Sequence, residues 1–235
     1  MIVHYPYANL GHADHGWLDA RHHFSFSSYY DPSRTGFGAL LVVNDDRIAA
    51  GRGFGTHPHD NMEIITYVRQ GAITHKDSLG NEGRTRAGDV QVMSAGTGVL
   101  HSEHNHEREE TTLYQIWILP NQQSVTPRWE AKEFPKTLST DALEVLVSGM
   151  ARHKDAKALF IHQDAAIYGG LLSAGSTIQQ PIVHQAYVLA SHGSFTLNGV
   201  MLHQGDGAEI SEESVVNITA LQDAEILIID VPTTH

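Results

Sequence analysis

The sequence predicts an all-β protein made of two β-barrels in tandem, and three observations carry that expectation. Short runs rich in β-branched and aromatic residues, at 63–68, 71–75 and 89–93, are separated by the turn signals Arg69-Gln70-Gly71, Leu79-Gly80-Asn81 and Ala87-Gly88-Asp89. No long helical period interrupts the first fifty residues. The same grammar then returns in the second half: residues 187–196 parallel 67–74, and 204–208 parallel 87–91, as duplication of one barrel would give.

In chain order, residues 1–50 open with a segment rich in Gly, His and Asp. Phe24 and Phe26 follow, two apart and so on one face, where they line a core or a pocket wall. Residues 37–43 and 47–50 read as strands around an Asn44-Asp45-Asp46 turn. The alternation of strand and turn continues to Trp117-Ile118-Leu119 and stops at Pro120. Residues 121–140 turn polar and hold Pro127 and Pro135, too many breakers for a strand pair, so they read as a crossover between domains. Asn198-Gly199 marks a tight hairpin in the second copy. The expected division is 1–135 for a metal-binding barrel and 136–235 for a barrel without metal.

Composition excludes several classes. The 235 residues are 41% apolar, enough for a buried core. A net charge of -12 without any Lys/Arg cluster repels phosphate backbones and argues against nucleic acid as a partner. Cysteine is absent, so disulfides and thiolate metal sites are out. Neither a signal peptide nor a spanning stretch is visible, which leads to the expectation of a soluble, cytoplasmic protein.

Two pairs carry the chemistry, His57-Pro58-His59 and His101-Ser102-Glu103. Residues two apart on a strand point to the same face, so each pair can aim both side chains into one cavity. Pro58 cannot donate to a ladder, which places the first pair at a strand start or edge. Three imidazoles and a carboxylate suit one divalent transition metal, with Fe(II), Mn(II), Co(II), Ni(II) and Cu(II) all compatible and room for further ligands. Closed structural zinc is disfavoured, because such sites are usually rich in thiolate. Glu63, six residues past His57, shares its face if the strand runs unbroken, as a fifth ligand or as an acceptor orienting an imidazole. Gln115 is either a hydrogen-bond donor in the pocket or an outward-facing residue. His104 and His106 have the opposite phase and read as a solvated loop, while His12, His15, His22 and His23 lack a metal-ligand spacing.

At these residues the sequence resembles a known family. The spacing of Gly51, His57, His59, Glu63 and Gly71 resembles the first motif of the cupin superfamily. Gly88, Gly96, His101 and Glu103 resemble the second motif in the form found in pirins. His23-Phe24-Ser25-Phe26, Tyr30-Asp31-Pro32 and Gly36-Phe37-Gly38 also look like pirins, and the length resembles bacterial members of the quercetin 2,3-dioxygenase type. The resemblance implies a bicupin, two double-stranded β-helix domains, with a divalent metal on His57, His59, His101 and Glu103 of the first. By that analogy Glu63 supports the site without binding the metal. The family often has Arg or Lys after His-Pro-His, whereas here Asp60-Asn61 follow and remove a positive charge near the mouth.

Two functions from different classes follow. The first is a dioxygenase that opens a flavonol such as quercetin with O₂ and releases carbon monoxide. A flavonol hydroxyl at the metal would lose its proton to Glu103, and Phe54, Phe26, Met93 and Trp117 are candidates for an apolar wall. Iron(II) is the first expectation for the metal, with Mn, Co, Ni, Cu or Zn as alternatives. The second is a pirin-type regulatory protein whose metal alters a surface that a protein partner reads.

Overall fold

Strands form where the β-branched and aromatic runs lie. The computed structural model describes residues 1–234, and these form 23 strands and two 3-10 turns, with no α-helix among them. The first are β1 (Ile2–Tyr5), β2 (Gly11–Asp14), β3 (Leu18–His22), β4 (Leu40–Ile48), β5 (Gly53–His59) and β6 (Glu63–Gln70). Next come β7 (Ala72–Asp77), β8 (Glu82–Arg86), β9 (Val90–Ser94), β10 (Val99–His104), β11 (Thr111–Ile118) and β12 (Arg128–Lys132). The second half begins with β13 (Leu138–Ser139), β14 (Glu144–Ser148), β15 (Leu159–Phe160), β16 (Ala166–Leu172), β17 (Thr177–Pro181) and β18 (Gln185–His192). It ends with β19 (Ser194–Leu197), β20 (Val200–His203), β21 (Gly207–Ile210), β22 (Val215–Ala220) and β23 (Ala224–Val231). Among the described residues no helix is long and apolar enough to cross a membrane.

A seven-stranded sheet in the order β12-β9-β6-β11-β4-β3-β2 faces a four-stranded one, β5-β10-β7-β8. The second half repeats the plan: β21-β18-β23-β16 matches β9-β6-β11-β4, and β17-β22-β19-β20 matches β5-β10-β7-β8. Each half is thus a jelly roll of two facing sheets, the double-stranded β-helix arrangement, without full closure into a barrel. Gly71 and Gly193 occupy the same turn in the two halves, with φ of 74° and 72°. A Cβ at Gly193 would stand 2.3 Å from the Asp223 carbonyl oxygen, so glycine is required there.

The two large sheets pack back to back. Ile65, Tyr67, Tyr114, Ile116 and Ile118 from one meet Ile167, Tyr187, Leu189, Leu227 and Ile229 from the other in a single buried cluster. Both faces of the central strands are therefore covered, which is why β6 and β9 read as continuous rather than alternating apolar runs. Inside the second jelly roll, Ile178, Phe195, Leu197, Val216 and Ile218 fill the interior. The first keeps polar groups and a cavity in the corresponding place.

Three local expectations need correction. Asn44-Asp45-Asp46 is no turn but the buried centre of β4. Asn44 accepts from His22 at 2.8 Å, and Asp45 pairs with Arg69, so tertiary partners satisfy what a turn would have exposed to water. Residues 121–140 do supply strands: β12 pairs with β9, and β13 with β16. Finally, β1 pairs with β21 in the second large sheet, so one strand crosses the expected division at residue 135.

Candidate metal centre

Strand phase brings the histidines together. On β5, an edge strand, His57 and His59 turn inward while Pro58 is exposed, and on β10 His101 and Glu103 are buried while Leu100 is exposed. In the ladder His101 stands opposite His57, but Glu103 stands opposite Phe54, a register shift that puts a bulge in β5 between them. Gly53 ends the bulge where the strands close up, since a Cβ there would lie 2.3 Å from the Glu103 carbonyl oxygen.

The donor atoms of His57, His59 and His101 all lie within 4.8 Å of one another. His57 Nε2 and His101 Nε2 are 3.0 Å apart, about the separation of adjacent nitrogens around one ion with bonds of about 2.1 Å. The His57 Nδ1–H donates to the Gly55 carbonyl at 2.7 Å, so its Nε2 carries the lone pair. Burial and the neighbouring His57 lower His59 to about 4, and burial with three neighbouring imidazoles lowers His101 to about 3. Both rings are neutral at physiological pH, as metal ligation requires. The residues present fit a divalent transition metal, on nitrogen donors that soft-metal thiolate sites lack.

Glu103 sits deeper. Its carboxylate accepts from Thr66 Oγ1 at 3.1 Å, from Gln91 Nε2 at 2.7 Å and from the Gln115 side-chain amide. Thr85 donates to Gln91 Oε1 at 2.9 Å, which fixes the amide with its nitrogen toward Glu103. Burial raises the Glu103 carboxyl to about 7 against the opposing effect of these three donors. The donors belong to one row of the large sheet, polar from end to end across five strands: His22, Asn44, Gln115, Thr66, Gln91. Glu103 groups with His101 and His75 within 4.8 Å, rather than with His57 and His59.

A cavity of about 410 Å³ opens beside these groups, within the range of small-molecule sites. Phe26, Phe54, Trp17 and Trp117 form its aromatic wall, and His57, His59, His101, Glu103 and Gln115 its polar side. Trp117 meets the His59 ring edge to face at 4.9 Å, and Phe26 meets Trp117 at 5.5 Å.

Of the expected site residues, two lie elsewhere. The chain bends between β5 and β6, with Asn61 at φ 42°, so the phase count from His57 fails and Glu63 faces Ser94, whose hydroxyl donates to it at 2.7 Å. Met93 packs with Ile64, Ala95 and Val99 outside the cavity, because β9 is buried on both faces and its pattern does not show which side faces in. Missed by sequence reasoning were Thr66, Gln91, His22, Asn44 and Asp46, as well as His75 and Asp77. The last two form an i, i+2 pair on β7, the same signal that marked the others. Burial, with Asp45 and Glu103 nearby, holds the Asp46 carboxyl well above the usual range.

Comparison with known proteins agrees with this architecture. The family model "Pirin" matches residues 5–118, and "Quercetinase C-terminal cupin domain" matches residues 145–231. A pirin-like protein of Caulobacter vibrioides is 51% identical, covering 98% of this chain and 99% of its own. The quercetin 2,3-dioxygenase of Escherichia coli K12 is 44% identical, covering 94% and 95%. The crystal structure of the E. coli bacterial pirin YhhW in complex with nickel(II) superposes with a TM-score of 0.92 at 42% identity, over the whole of both chains.

Proposed function

The chain belongs to the pirin family, and from that premise we propose that it is a metal-dependent dioxygenase of the quercetin 2,3-dioxygenase type, acting on a flavonol with O₂. The observation that carries the proposal is the convergence of three imidazoles at the edge of an aromatic-walled cavity, with the Glu103 carboxyl buried beside them. His57, His59 and His101 would hold the metal, with Glu103 as a fourth ligand or as the base beside it. Iron(II) is our first assignment, and the nickel complex of the E. coli relative supports nickel(II) as an alternative. Bound there, the ion would supply a Lewis-acid position that makes a coordinated hydroxyl more acidic.

The protein's own part follows from its geometry. Phe26, Phe54, Trp17 and Trp117 present faces and edges to flat rings and keep water out. Glu103 takes the proton of the flavonol 3-hydroxyl on a carboxylate oxygen, at a pKa set near neutrality by burial. Thr66, Gln91 and Gln115 hold that carboxylate still and stabilise its charged form before the proton arrives.

The test is aerobic incubation of protein reconstituted separately with Fe, Mn, Co, Ni, Cu or Zn, following loss of the flavonol absorption band and release of carbon monoxide. Turnover with at least one metal supports the proposal. Stoichiometric metal binding with no turnover in any of them overturns it and favours a regulatory binding protein.

A further inference from the structure

Behind His101, away from the other two histidines, stands a second set of groups with no part in the reading above. His101 Nδ1 faces His75 Nδ1 at 3.4 Å, and His75 Nε2 faces Asp77 Oδ2 at 2.9 Å. The His75 and Asp77 side chains are both fully buried, and the His75 ring lies flat on Trp129 at 4.9 Å with an interplanar angle of 7°.

We propose that Asp77 and His75 are positioning residues, a two-residue relay that fixes the tautomer of His101 and so aims its Nε2 lone pair at His57 and His59. The logic runs from the carboxylate outward. Asp77 is an acceptor, because its oxygens also take the backbone N–H groups of Leu79 and Asn81 and the Asn81 side-chain amide. His75 must then carry its proton on Nε2, which leaves Nδ1 as a lone pair. That lone pair can only accept, so His101 carries its proton on Nδ1 and bares Nε2. A backbone carbonyl does the same for His57 through Gly55.

The result is two Nε2 lone pairs facing each other across 3.0 Å. In the metal-free protein that arrangement is repulsive. His101 could escape it by moving its proton to Nε2 and donating to His57. The cost falls on the relay, where His75 would have to place a proton on Nδ1 and turn a lone pair toward the Asp77 carboxylate. The relay therefore keeps the site a poor home for a shared hydrogen bond and a good one for a cation. It also shows why the group His75, His101 and Glu103 is no second metal site. Both His75 nitrogens are committed, Nε2 to Asp77 and Nδ1 to His101, so His75 has no lone pair left for an ion.

This inference rests on the metal-site reading but not on the reaction, and its test uses no flavonol. Long-range ¹⁵N–¹H spectra of the metal-free, imidazole-labelled wild type should show His101 protonated on Nδ1 and His75 on Nε2. His75→Phe keeps the ring on Trp129 and removes both nitrogens. It should shift His101 toward the Nε2–H form and weaken binding of Ni(II), the probe used, by about 10- to 100-fold. His75→Gln returns an acceptor oxygen and should recover most of that loss, which a purely structural role for the ring would not allow. The wild-type spectrum needs no variant to fold. His101 protonated on Nε2 in that spectrum, or unchanged Ni(II) affinity in His75→Phe, overturns the relay while leaving the dioxygenase question to its own assay.

Discussion

The side-chain amide of Gln115 donates to the carboxylate of Glu103, although the two residues stand on different sheets, β11 and β10. This contact links the two sheets across the interior of the jelly roll and, with Thr66 and Gln91, opposes the burial that raises the carboxyl. Glu103→Gln would keep the shape but turn an amide toward donors that need an acceptor. We expect metal to be retained in part on the three imidazoles and turnover to fall on the order of 10²-fold or more, measured as rate per bound metal on one sample. Near-normal turnover at full occupancy would remove Glu103 as the base.

His57→Ala is expected to behave differently. The imidazole lies on an edge strand with its back nitrogen held by Gly55 and its Nε2 3.0 Å from that of His101. Metal content after dialysis and oxygenase rate should fall together, in the same proportion. Loss of activity with full metal retained would contradict a ligand role.

Glu63 predicts a pH dependence of stability that is separate from catalysis. Burial pushes its carboxyl up to about 7, outweighing the Ser94 hydroxyl and the His162 backbone. The folded chain thus holds a proton that the unfolded chain releases near its ordinary value of 4.5. The stabilising contribution is fully present below that value and is lost as pH rises through about 7. Urea melts at about pH 5 and about pH 8 should show Glu63→Gln gaining on the wild type at the higher pH, by at most about 3 kcal/mol. An equal pH slope in both proteins would refute the buried-acid account.

Gly53→Ala tests the bulge. The added methyl would strike the Glu103 carbonyl oxygen and the His104 backbone, neither of which is a flexible side-chain end. We expect a loss of about 1–3 kcal/mol with weaker metal binding, read by thermal melts and Ni(II) titration. A variant with unchanged melting and affinity would show that β5 and β10 are not held as closely as described.

How far the sequence revealed the site depended on whether partners were local. The two expected pairs were legible because period-two phase needs only neighbouring residues; His57, His59 and His101 do meet, whereas Glu103 groups with His101 and His75. The turn glycines Gly71 and Gly193 likewise betrayed the duplication. Asn44, Asp45 and Asp46 were misread because three polar residues in a row signal a turn, while His22 and Arg69, which satisfy two of them, lie far along the chain. Glu63 was lost to a bend of three residues, and Met93 to a strand buried on both faces. Gln115 could not be placed without knowing which face of β11 met the cavity, since both faces are covered.

The pairing of Ile2 with Ile210 has a consequence in time. Translation delivers β1 first and β21 about two hundred residues later. At about 5–20 residues per second, that leaves β1 unpaired for roughly 10 to 40 s after it emerges. The second jelly roll cannot acquire its edge from its own stretch of chain, and the first can finish its sandwich while still trailing a loose end. Maturation is therefore sequential and ends with a long-range closure, slow in the way that high contact order makes folding slow. Until it happens, the β21 edge is open to any other strand nearby, a second nascent copy included.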